Sequence, residues 1–395
     1  MRSRLILIIV LFAATLNAWA QPFNPAEAKV ISAPNELMTH ASTIVAQQDG
    51  TLFIAYLRDT TQTHEVSSAT TISPVLMKTH FPEMDSFEKV EIMRAGATVG
   101  DFTQSATRSP YNNNLLLIGD TLFCYFTGCI DGIVTLCARR YNVATGKLDD
   151  KVEICKLAYD VESLTNIYDR KIVPFDSKST FAMFEEMGIR TVFTNDVVMT
   201  TPFQEYKGEW YCAFGNAFPK HSKPVIVKTT DGIHFEVVMV CKEFNFGTCE
   251  VAVAIWHDEF YVLQRNSGVE RGGRGTFLAK YDAQGHCLVP PVYLTEAQVK
   301  PALIVYKGRL YAFYNANPSI YTDWGLVSRS RLRMARIGRQ CQLRKTWDIT
   351  SPYGIHYVYP VEIDGNLYIT FSEDRRQLNI EMTRSDIGFV KVTVK

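Results

Sequence analysis

The amino-acid sequence predicts an all-β chain, a single-domain seven-bladed β-propeller that follows an N-terminal signal peptide. Three observations support this fold class: one hairpin pattern occurs six times, one interval between copies is wide enough for a seventh, and helical periodicity is scarce. Each copy has an apolar run, a tight turn built on Gly or Asp, and a second run of alternating aromatic and aliphatic residues, which is typical of a β-hairpin. A hairpin repeated at a near-constant period is typical of a radially repeating all-β array. The six copies are Asp49–Tyr56, Gly119–Tyr125, Lys207–Phe214, His257–Val262, Lys307–Phe313 and Asp364–Phe371.

The spacing of the copies suggests where a seventh blade would lie. The turn residues are at 50, 120, 208, 258, 308 and 365, so the gap between the second and third turns is the widest. Within that gap we interpret Thr165–Tyr168, Lys171–Phe175 and Ser179–Phe184 as a degenerate hairpin. Seven blades over residues 21–395 then average about 54 residues each, in keeping with propeller repeats. We expect each hairpin to form the two inner strands of its blade.

The N-terminus has the pattern of a secretory signal peptide. Arg2 and Arg4 precede the apolar stretch Leu5–Ala14, and Ala18–Ala20 places small residues beside a cleavage point before Gln21. The residue directly after that point is not Cys, and no later run approaches the roughly 18 apolar residues of a spanning helix. We expect an exported protein, periplasmic or secreted, with residues 21–395 as the propeller and no membrane contact after cleavage. A retained N-terminal anchor is the alternative.

Composition excludes some classes of partner. Lys plus Arg and Asp plus Glu are 41 each, so no global field attracts nucleic acid or an anionic membrane. A charged ligand must therefore meet a local cluster. We expect a monomer.

The nine Cys form no CxxC pair and no Cys/His metal spacing, so no cofactor or metal is expected. A structural cation in the central channel stays an alternative. Cys124 and Cys212 occupy the same place in their hairpins, which predicts buried thiols. A disulfide between Cys241 and Cys249 is the other interpretation.

The inner turns of the hairpins are short, so we expect the ligand pocket at the opposite end, around the axis. Loops at that end carry many His, Arg, Asn and Tyr, and Arg is suited to bidentate contact with a carboxylate. This mixture indicates an anionic polar ligand such as a uronic acid. The acidic residues that the sequence places near this end form no evident pair for ordinary glycoside hydrolysis. They are Asp59, Glu65, Glu270, Asp323 and Glu373.

Sialidases are also propellers, and they carry an arginine triad, a Tyr/Glu nucleophile pair and repeated Ser-x-Asp-x-Gly-x-x-Trp boxes. Only Thr229–Phe235 resembles such a box. Because this similarity to sialidases is weak, we favour a different chemistry, which is β-elimination from a 4-linked uronate. That reaction needs a cation to neutralise the carboxylate, a base for the C5 proton and an acid for the leaving oxygen.

The candidate residues follow from those three roles. His40 and His64 are expected as general base and partner, and Tyr111 as general acid. Each could instead be structural, the histidines as backbone caps and Tyr111 as a packing residue. The Gly-rich segment Arg265–Arg274 brings three Arg close together. The expected substrate-binding residues are Arg108, Asn216, His221, Arg265, Arg271 and His356.

Pro34–Ala41, leading into the first strand of a secreted propeller of this length, resembles the family-145 glycoside hydrolases and the related polysaccharide lyases of family 42. The resemblance covers essentially the whole mature chain. It implies action on L-rhamnose α-1,4-linked to D-glucuronate, as in gum arabic and related arabinogalactan side chains. The hydrolase branch is an α-L-rhamnosidase whose single catalytic His lies at the other end of the propeller. The counterpart of that His lies here in the turn Gln47–Gly50, which has Gln instead. Because Gln cannot transfer a proton, this departure favours the lyase branch.

The expected function is therefore an exported polysaccharide lyase that removes terminal rhamnose and leaves a 4,5-unsaturated glucuronate. A retaining α-L-rhamnosidase acting on the same linkage, and a non-catalytic glycan-binding propeller, are the alternatives.

Overall fold

A computed structural model describes residues 21–63, 70–162, 168–216, 222–244, 247–266, 275–297, 299–316, 321–322, 325–326, 329–351, 354–377 and 381–394. The predicted signal peptide, residues 1–20, lies outside this range. In the described part of the chain no helix has the length and apolarity needed to span a bilayer.

The described residues are predominantly β-strand. In chain order the strands are β1 (Lys29–Val30), β2 (Met38–Ala46), β3 (Thr51–Asp59), β4 (Ser73–His80), β5 (Glu88–Glu91), β6 (Thr98–Val99), β7 (Phe102–Thr103), β8 (Tyr111–Ile118), β9 (Thr121–Ile130), β10 (Ile133–Asn142), β11 (Lys147–Ile154), β12 (Lys156–Glu162), β13 (Tyr168–Pro174), β14 (Gln204–Tyr206), β15 (Glu209–Phe214), β16 (Val225–Thr229), β17 (His234–Val240), β18 (Thr248–Trp256), β19 (Glu259–Asn266), β20 (Gly275–Tyr281), β21 (Cys287–Thr295), β22 (Ala302–Tyr306), β23 (Arg309–Asn315), β24 (Tyr321–Thr322), β25 (Gly325–Leu326), β26 (Arg331–Ile337), β27 (Leu343–Thr350), β28 (Gly354–Ile363), β29 (Asn366–Gln377) and β30 (Glu381–Val392). One α-helix, α1 (Ser177–Glu186), and a 3-10 turn, Pro25–Glu27, complete the described elements.

Twenty-four of these strands form six four-stranded propeller blades. In the order of the chain they are β2–β5, β8–β11, β14–β17, β18–β21, then β22, β23, β26 and β27, and finally β28–β30 with β1. The prediction of an all-β propeller is confirmed. Each of the six predicted hairpins joins the first two strands of one blade.

The prediction of a seventh blade is wrong, because its segment extends the third blade instead. Strands β12 and β13 pair with each other, and β12 pairs in parallel with β17 at the outer edge of that sheet. Ser179–Phe184, predicted as a strand, lies in α1. Its buried residues Thr180, Met183 and Phe184 recur at three- and four-residue intervals, which fits a helix packed by one face. The Asp176 side chain accepts a hydrogen bond from Ser179 N and starts the helix.

Both ends of the described chain complete the sixth blade. Strand β1 pairs antiparallel with β30, with Lys29 opposite Phe389 and Val30 opposite Gly388. Farther along, Ile31 N donates to Ile387 O at 3.0 Å, and Thr393 N donates to Pro22 O at 2.7 Å. The N-terminal segment thereby closes the ring of blades without a covalent link.

All nine Cys are free thiols. Cys124 and Cys212 are fully buried, as predicted from their place in the hairpins. Cys241 and Cys249 are both buried and are not joined, so the alternative of a disulfide between them is wrong.

Candidate functional site

Three inner strands begin with the same backbone irregularity. Strands β2, β8 and β28 each carry a β-bulge near their first residues. Each bulge contains a residue with positive φ: Ala41 at 53°, Asn112 at 51° and Tyr357 at 54°. Such conformations are uncommon outside Gly, and bulges redirect side chains where they occur next to functional sites. The preceding residues are His40, Tyr111 and His356, so three of the predicted site residues occupy equivalent positions.

Tyr357 contacts a charged pair from the fourth blade. The Arg265 Nη1 atom donates to Glu250 Oε2 at 2.6 Å and to the Tyr357 hydroxyl oxygen at 3.1 Å. The Tyr357 hydroxyl is also a hydrogen-bond partner of the Glu250 carboxylate. All three side chains are buried. One phenol is therefore flanked by a carboxylate and a guanidinium group.

Glu250 is ionised in this cluster. Burial alone would raise the pKa of its carboxyl, but the Arg265 charge, with hydrogen bonds from Arg265 and Tyr357, holds that pKa below the ordinary value. The Lys300 charge lowers the pKa of Glu250 further. An ionised carboxylate beside a phenol can accept the phenolic proton.

A second group of buried polar side chains lies beside the cluster of Tyr357, Glu250 and Arg265. Arg329 Nη1 is 3.2 Å from His356 Nδ1, and His356 Nε2 is 2.9 Å from Asp374 Oδ2. Because Arg can only donate, Nδ1 of His356 accepts and Nε2 carries the proton. Burial lowers the pKa of His356 to about 4, with Arg329 acting in the same direction and Asp374 opposing. His356 is thus neutral, and it links Arg329 to an ionised carboxylate.

Cationic groups surround Tyr357. The Arg329 guanidinium lies 5.4 Å from the ring centroid of Tyr357, and the Lys300 ammonium lies 5.6 Å from it. Burial lowers the pKa of Lys300 to about 8, against the opposing charge of Glu250. Among the described residues, the Nε atoms of Arg265 and Arg329 are buried without a hydrogen-bond partner. A buried, unpaired donor is costly, so these two atoms suit an anionic ligand.

His40 packs against the same tyrosine. Its ring centroid is 4.2 Å from that of Tyr357 and 5.4 Å from that of His356. Ala41 N, within the bulge, donates to Ser372 Oγ at 3.1 Å. The structure therefore brings together three predicted residues, His40, Arg265 and His356, around Tyr357.

Tyr111 and Arg108 lie on the side of the second blade. Tyr111 packs against the cluster that contains Ala41 and Tyr357, and its hydroxyl oxygen is buried with no partner among the described residues. Arg108 donates to Asn195 O at 3.2 Å. Beside it, burial raises the pKa of Asp196 to about 6, although Arg108 and the Val197 N–H oppose that shift.

Of the remaining predicted site residues, the structure describes Asn216. Asn216 is buried after the end of β15, and its Oδ1 atom has no partner in the part of the chain described here. His64, His221 and Arg271 lie outside the described residues.

The sequence predictions did not select Tyr357, Glu250, Arg329 or Asp196, which all lie at this end. Three carboxylates, those of Glu250, Asp374 and Asp196, lie at this end in addition to the acidic residues named from the sequence. A signal for Glu250 exists in the sequence, because it stands seven positions before His257 and Arg265 stands seven after Asp258. The turn His257–Asp258 therefore puts the two charges opposite each other. No comparable signal identifies Arg329.

No three His, Cys, Asp or Glu side chains meet as metal ligands would within the described ranges.

No family model matches the sequence, and no curated protein matches it either. Similar folds occur among solved structures. Trypanosoma rangeli sialidase in complex with the inhibitor DANA is 12% identical with a TM-score of 0.59, over 90% of this chain and 55% of the sialidase. The K499G mutant of NanB sialidase from Streptococcus pneumoniae is 11% identical with a TM-score of 0.55, over 92% and 70%. The leech intramolecular trans-sialidase complexed with 2,7-anhydro-Neu5Ac is 12% identical with a TM-score of 0.54, over 93% and 70%.

The chain therefore spans about half the length of the trypanosomal sialidase. At 11 to 12% identity the likeness is one of fold, and it supports the β-propeller.

Proposed function

We propose that the chain is a glycoside hydrolase that acts on an acidic sugar, with Tyr357 as the nucleophile. The observation that carries this proposal is the position of the Tyr357 hydroxyl between the Glu250 carboxylate and the Arg265 guanidinium. Phenols are weak nucleophiles near neutral pH, because their ordinary pKa is about 10. An adjacent base removes that limit by taking the proton as the oxygen attacks.

The reaction divides into two steps. The Tyr357 oxygen attacks the anomeric carbon, its proton passes to Glu250, and the bond to the leaving oxygen breaks as an acid protonates that oxygen. Water then cleaves the glycosyl–tyrosine bond, with the same groups acting in reverse. A neutral nucleophile suits a sugar whose carboxylate lies beside the reacting carbon, because it approaches without charge repulsion.

The two buried arginines are the proposed carboxylate ligands. Arg265 and Arg329 come from different blades, and each has a buried Nε donor with no partner among the described residues. Charge-assisted bonds from guanidinium to carboxylate are strong and directional. His356 holds Arg329 in place and is itself held by Asp374.

Asp196 is the proposed acid because it reaches the bulge of β8, where its Oδ1 atom accepts from Asn112 Nδ2 at 3.4 Å. Its pKa of about 6 keeps a useful protonated fraction near neutrality, as general-acid catalysis needs.

The comparisons support this assignment. Sialidases as a class are the glycosidases that use a Tyr nucleophile, and the similar folds described above are sialidases. The turn Thr229–Phe235, which resembles a sialidase box in sequence, also has a second turn of similar hydrogen bonding in the structure. Asp231 accepts from the backbone N–H groups of Ile233 and His234, and Asp282 accepts from those of Gln284 and His286. Both turns join the third and fourth strands of their blades.

The test is hydrolysis of 4-methylumbelliferyl glycosides of sialic acid and of glucuronic acid by the wild type and two variants. Tyr357→Phe removes only the attacking oxygen, and Glu250→Gln removes only the base. We expect release of the fluorophore from an acidic glycoside and a loss of at least about 1,000-fold in kcat for each variant. Hydrolysis that survives in Tyr357→Phe would refute the proposed nucleophile.

The predicted lyase is the second candidate, favoured by the contact of His40 with the Tyr357 ring in cationic surroundings. There, His40 takes the C5 proton of glucuronate, Arg265 and Arg329 stabilise the charge on the carboxylate, and Tyr111 protonates the oxygen of the leaving rhamnose. Digestion of a rhamnose-capped glucuronide separates the candidates. The lyase produces the ultraviolet absorbance of a 4,5-unsaturated uronate, whereas rhamnose released without it contradicts elimination. Binding without any release would indicate a non-catalytic glycan-binding propeller.

A further inference from the structure

A second cluster of arginines lines a cleft at the opposite end of the propeller. The cleft lies between the fourth and fifth blades and has a volume of about 350 Å³. Trp256 forms part of its wall, and its charged lining residues are Arg309, Arg336, Arg339 and Arg344. Trp256 ends β18, the strand that begins near Glu250. Six residues of extended strand separate the two by about 20 Å, so the cleft is distinct from the Tyr357 site.

Hydrogen bonds between the two blades fix the shape of this cleft. Trp256 Nε1 donates to Gly308 O at 3.0 Å, and the Tyr261 hydroxyl donates to Arg339 O at 3.2 Å. Below the turn, Ile337 and Cys341 are buried in the core that the fourth and fifth blades share. The arginines therefore project from a rigid backbone, which lowers the entropic cost of binding.

The charges in the cleft are poorly balanced by the protein. In the described part of the chain, Arg309, Arg336 and Arg344 have no carboxylate within ion-pair distance, and Arg339 Nη2 lies 3.8 Å from Glu259 Oε2. Glu259 is already paired with buried Lys280 at 3.1 Å. Four guanidinium groups are thus concentrated on a chain whose formal net charge is zero. Such a local field attracts an anion.

We propose that this cleft binds the carboxylates of an acidic glycan chain, as a second attachment point away from the catalytic site. Guanidinium groups match carboxylates in plane and spacing, and the volume is that of a small-ligand site. Trp256 adds an aromatic wall to the cleft. Glycan is preferred over nucleic acid because the basic patch is confined to one cleft and does not extend along a groove. The choice of a glycan rests on the proposed function, whereas the presence of an anion site does not.

A second attachment point changes how the enzyme meets polymers. Engaging both sites on one chain raises the effective concentration of the substrate at the catalytic end. The cleft should therefore lower KM for polymeric acidic glycans and leave small substrates unaffected.

The experiment measures binding by calorimetry at low salt, with trigalacturonate as the probe. The double variant Arg336→Ala/Arg344→Ala tests the cleft, and Arg190→Ala, which removes an exposed positive charge elsewhere, is the matched control. We expect trigalacturonate binding to weaken at least tenfold in the double variant and to stay unchanged in the control. Hydrolysis of a small fluorogenic glycoside should be the same in both, so a failure of the proposed function shows separately.

Three further probes make the result decisive. Neutral maltotriose should not compete with trigalacturonate for the cleft. Equal affinity for trigalacturonate in the wild type and the double variant would overturn the proposal. Inorganic sulfate that binds as tightly as trigalacturonate would show a simple anion site, and single-stranded DNA that binds more tightly would show a nucleic-acid surface; either result would also overturn it.

Discussion

A left-handed residue in the middle of a bulge puts Tyr357 among side chains from another blade. Its φ of 54° is unfavourable for a large aromatic residue, and such strain persists at sites where the surrounding structure enforces it. The enforcing contacts here are Arg265 on the hydroxyl and His40 on the ring. The same bulge recurs at Ala41 and at Asn112, so one local backbone conformation positions side chains of three blades around the axis.

The proton on Asp196 should limit the reaction at higher pH. Its raised pKa of about 6 means that the acid form predominates below that pH, so kcat/KM should fall as pH rises through about 6. In Asp196→Asn this limb of the pH profile should vanish, and activity should fall about 100-fold or more.

Leaving-group dependence provides the control for the role of Asp196. The loss in Asp196→Asn should be smaller for a phenolic leaving group than for an alkyl glycoside, because phenolate departs with less help from an acid. An equal loss for both leaving groups would show that Asp196 only shapes the site.

His356 should make the fold sensitive to mild acid. Its pKa is about 4 in the folded chain against an ordinary value of 6.5, so the unfolded chain binds more protons between those values. The free energy of unfolding therefore keeps its full value above pH 6.5. It falls by about 3 kcal/mol at most as the pH drops toward 4. Asp196, whose pKa is raised, changes the free energy of unfolding in the opposite sense over the same pH range. The quantity to measure is therefore the difference in pH dependence between the wild type and a His356 variant.

His356→Gln keeps an acceptor for Arg329 and a donor for Asp374 but cannot titrate. Urea unfolding at pH 7 and pH 4.5 should show a smaller drop in unfolding free energy for the variant than for the wild type. Equal drops would contradict the buried neutral imidazole.

At the scale of elements, α1 shows why the blade count differs from the prediction. The helix packs Met183 and Phe184 into the core that the second and third blades share, where Phe175 and Phe214 also lie. The hairpin of β12 and β13 joins that blade at its outer edge and reaches no inner position. A hairpin can thus be added to a propeller without adding a blade.

The start of α1 provides a test of this assignment. Asp176→Ala removes the side chain that accepts from Ser179 N and should lower the unfolding free energy by about 1 kcal/mol. Asp176→Asn retains a good N-cap and should be nearly neutral. Thermal or urea unfolding measures both, and equal effects would argue against a helix beginning at this residue.

Sequence reasoning reached the six hairpins because each is local: an apolar run, a Gly or Asp turn and a second run lie within a few residues. It placed His40, Arg265 and His356 at one end of the propeller, where the structure brings them together, because strand ends follow from the turns. It missed the site around Tyr357 because Glu250 and Tyr357 come from different blades and meet through a bulge. Helix α1 was predicted as a strand because the spacing of its apolar residues is compatible with a short strand as well as with a short helix.

At the scale of the whole molecule, closure of the ring depends on a short N-terminal segment. Strand β1 has only two residues, yet Ile31 just beyond it is buried and donates its N–H to Ile387 O. The two ends of the described chain are held together by backbone hydrogen bonds and by this apolar contact. Loss of the contact should loosen the first and sixth blades together.

Neighbouring residues allow a matched test of the closure. Ile31→Ala should lower the unfolding free energy by about 2 to 4 kcal/mol, because it empties a buried site. Val30→Ala, at a side chain that is 39% exposed, should cost far less. Chemical denaturation of the two variants checks this difference, and equal losses would contradict closure through Ile31.

The most direct test of the central claim is chemical trapping of the nucleophile. A derivative of the hydrolysed acidic sugar that carries one fluorine on the anomeric carbon, as leaving group, and a second on the neighbouring carbon slows the second step and should leave the glycosyl group on the protein. Peptide mass spectrometry of the wild type should then find the adduct on Tyr357, with no adduct in Tyr357→Phe. An adduct on another residue, or turnover of the parent glycoside in Tyr357→Phe at the wild-type rate, would contradict the assignment of Tyr357 as the nucleophile.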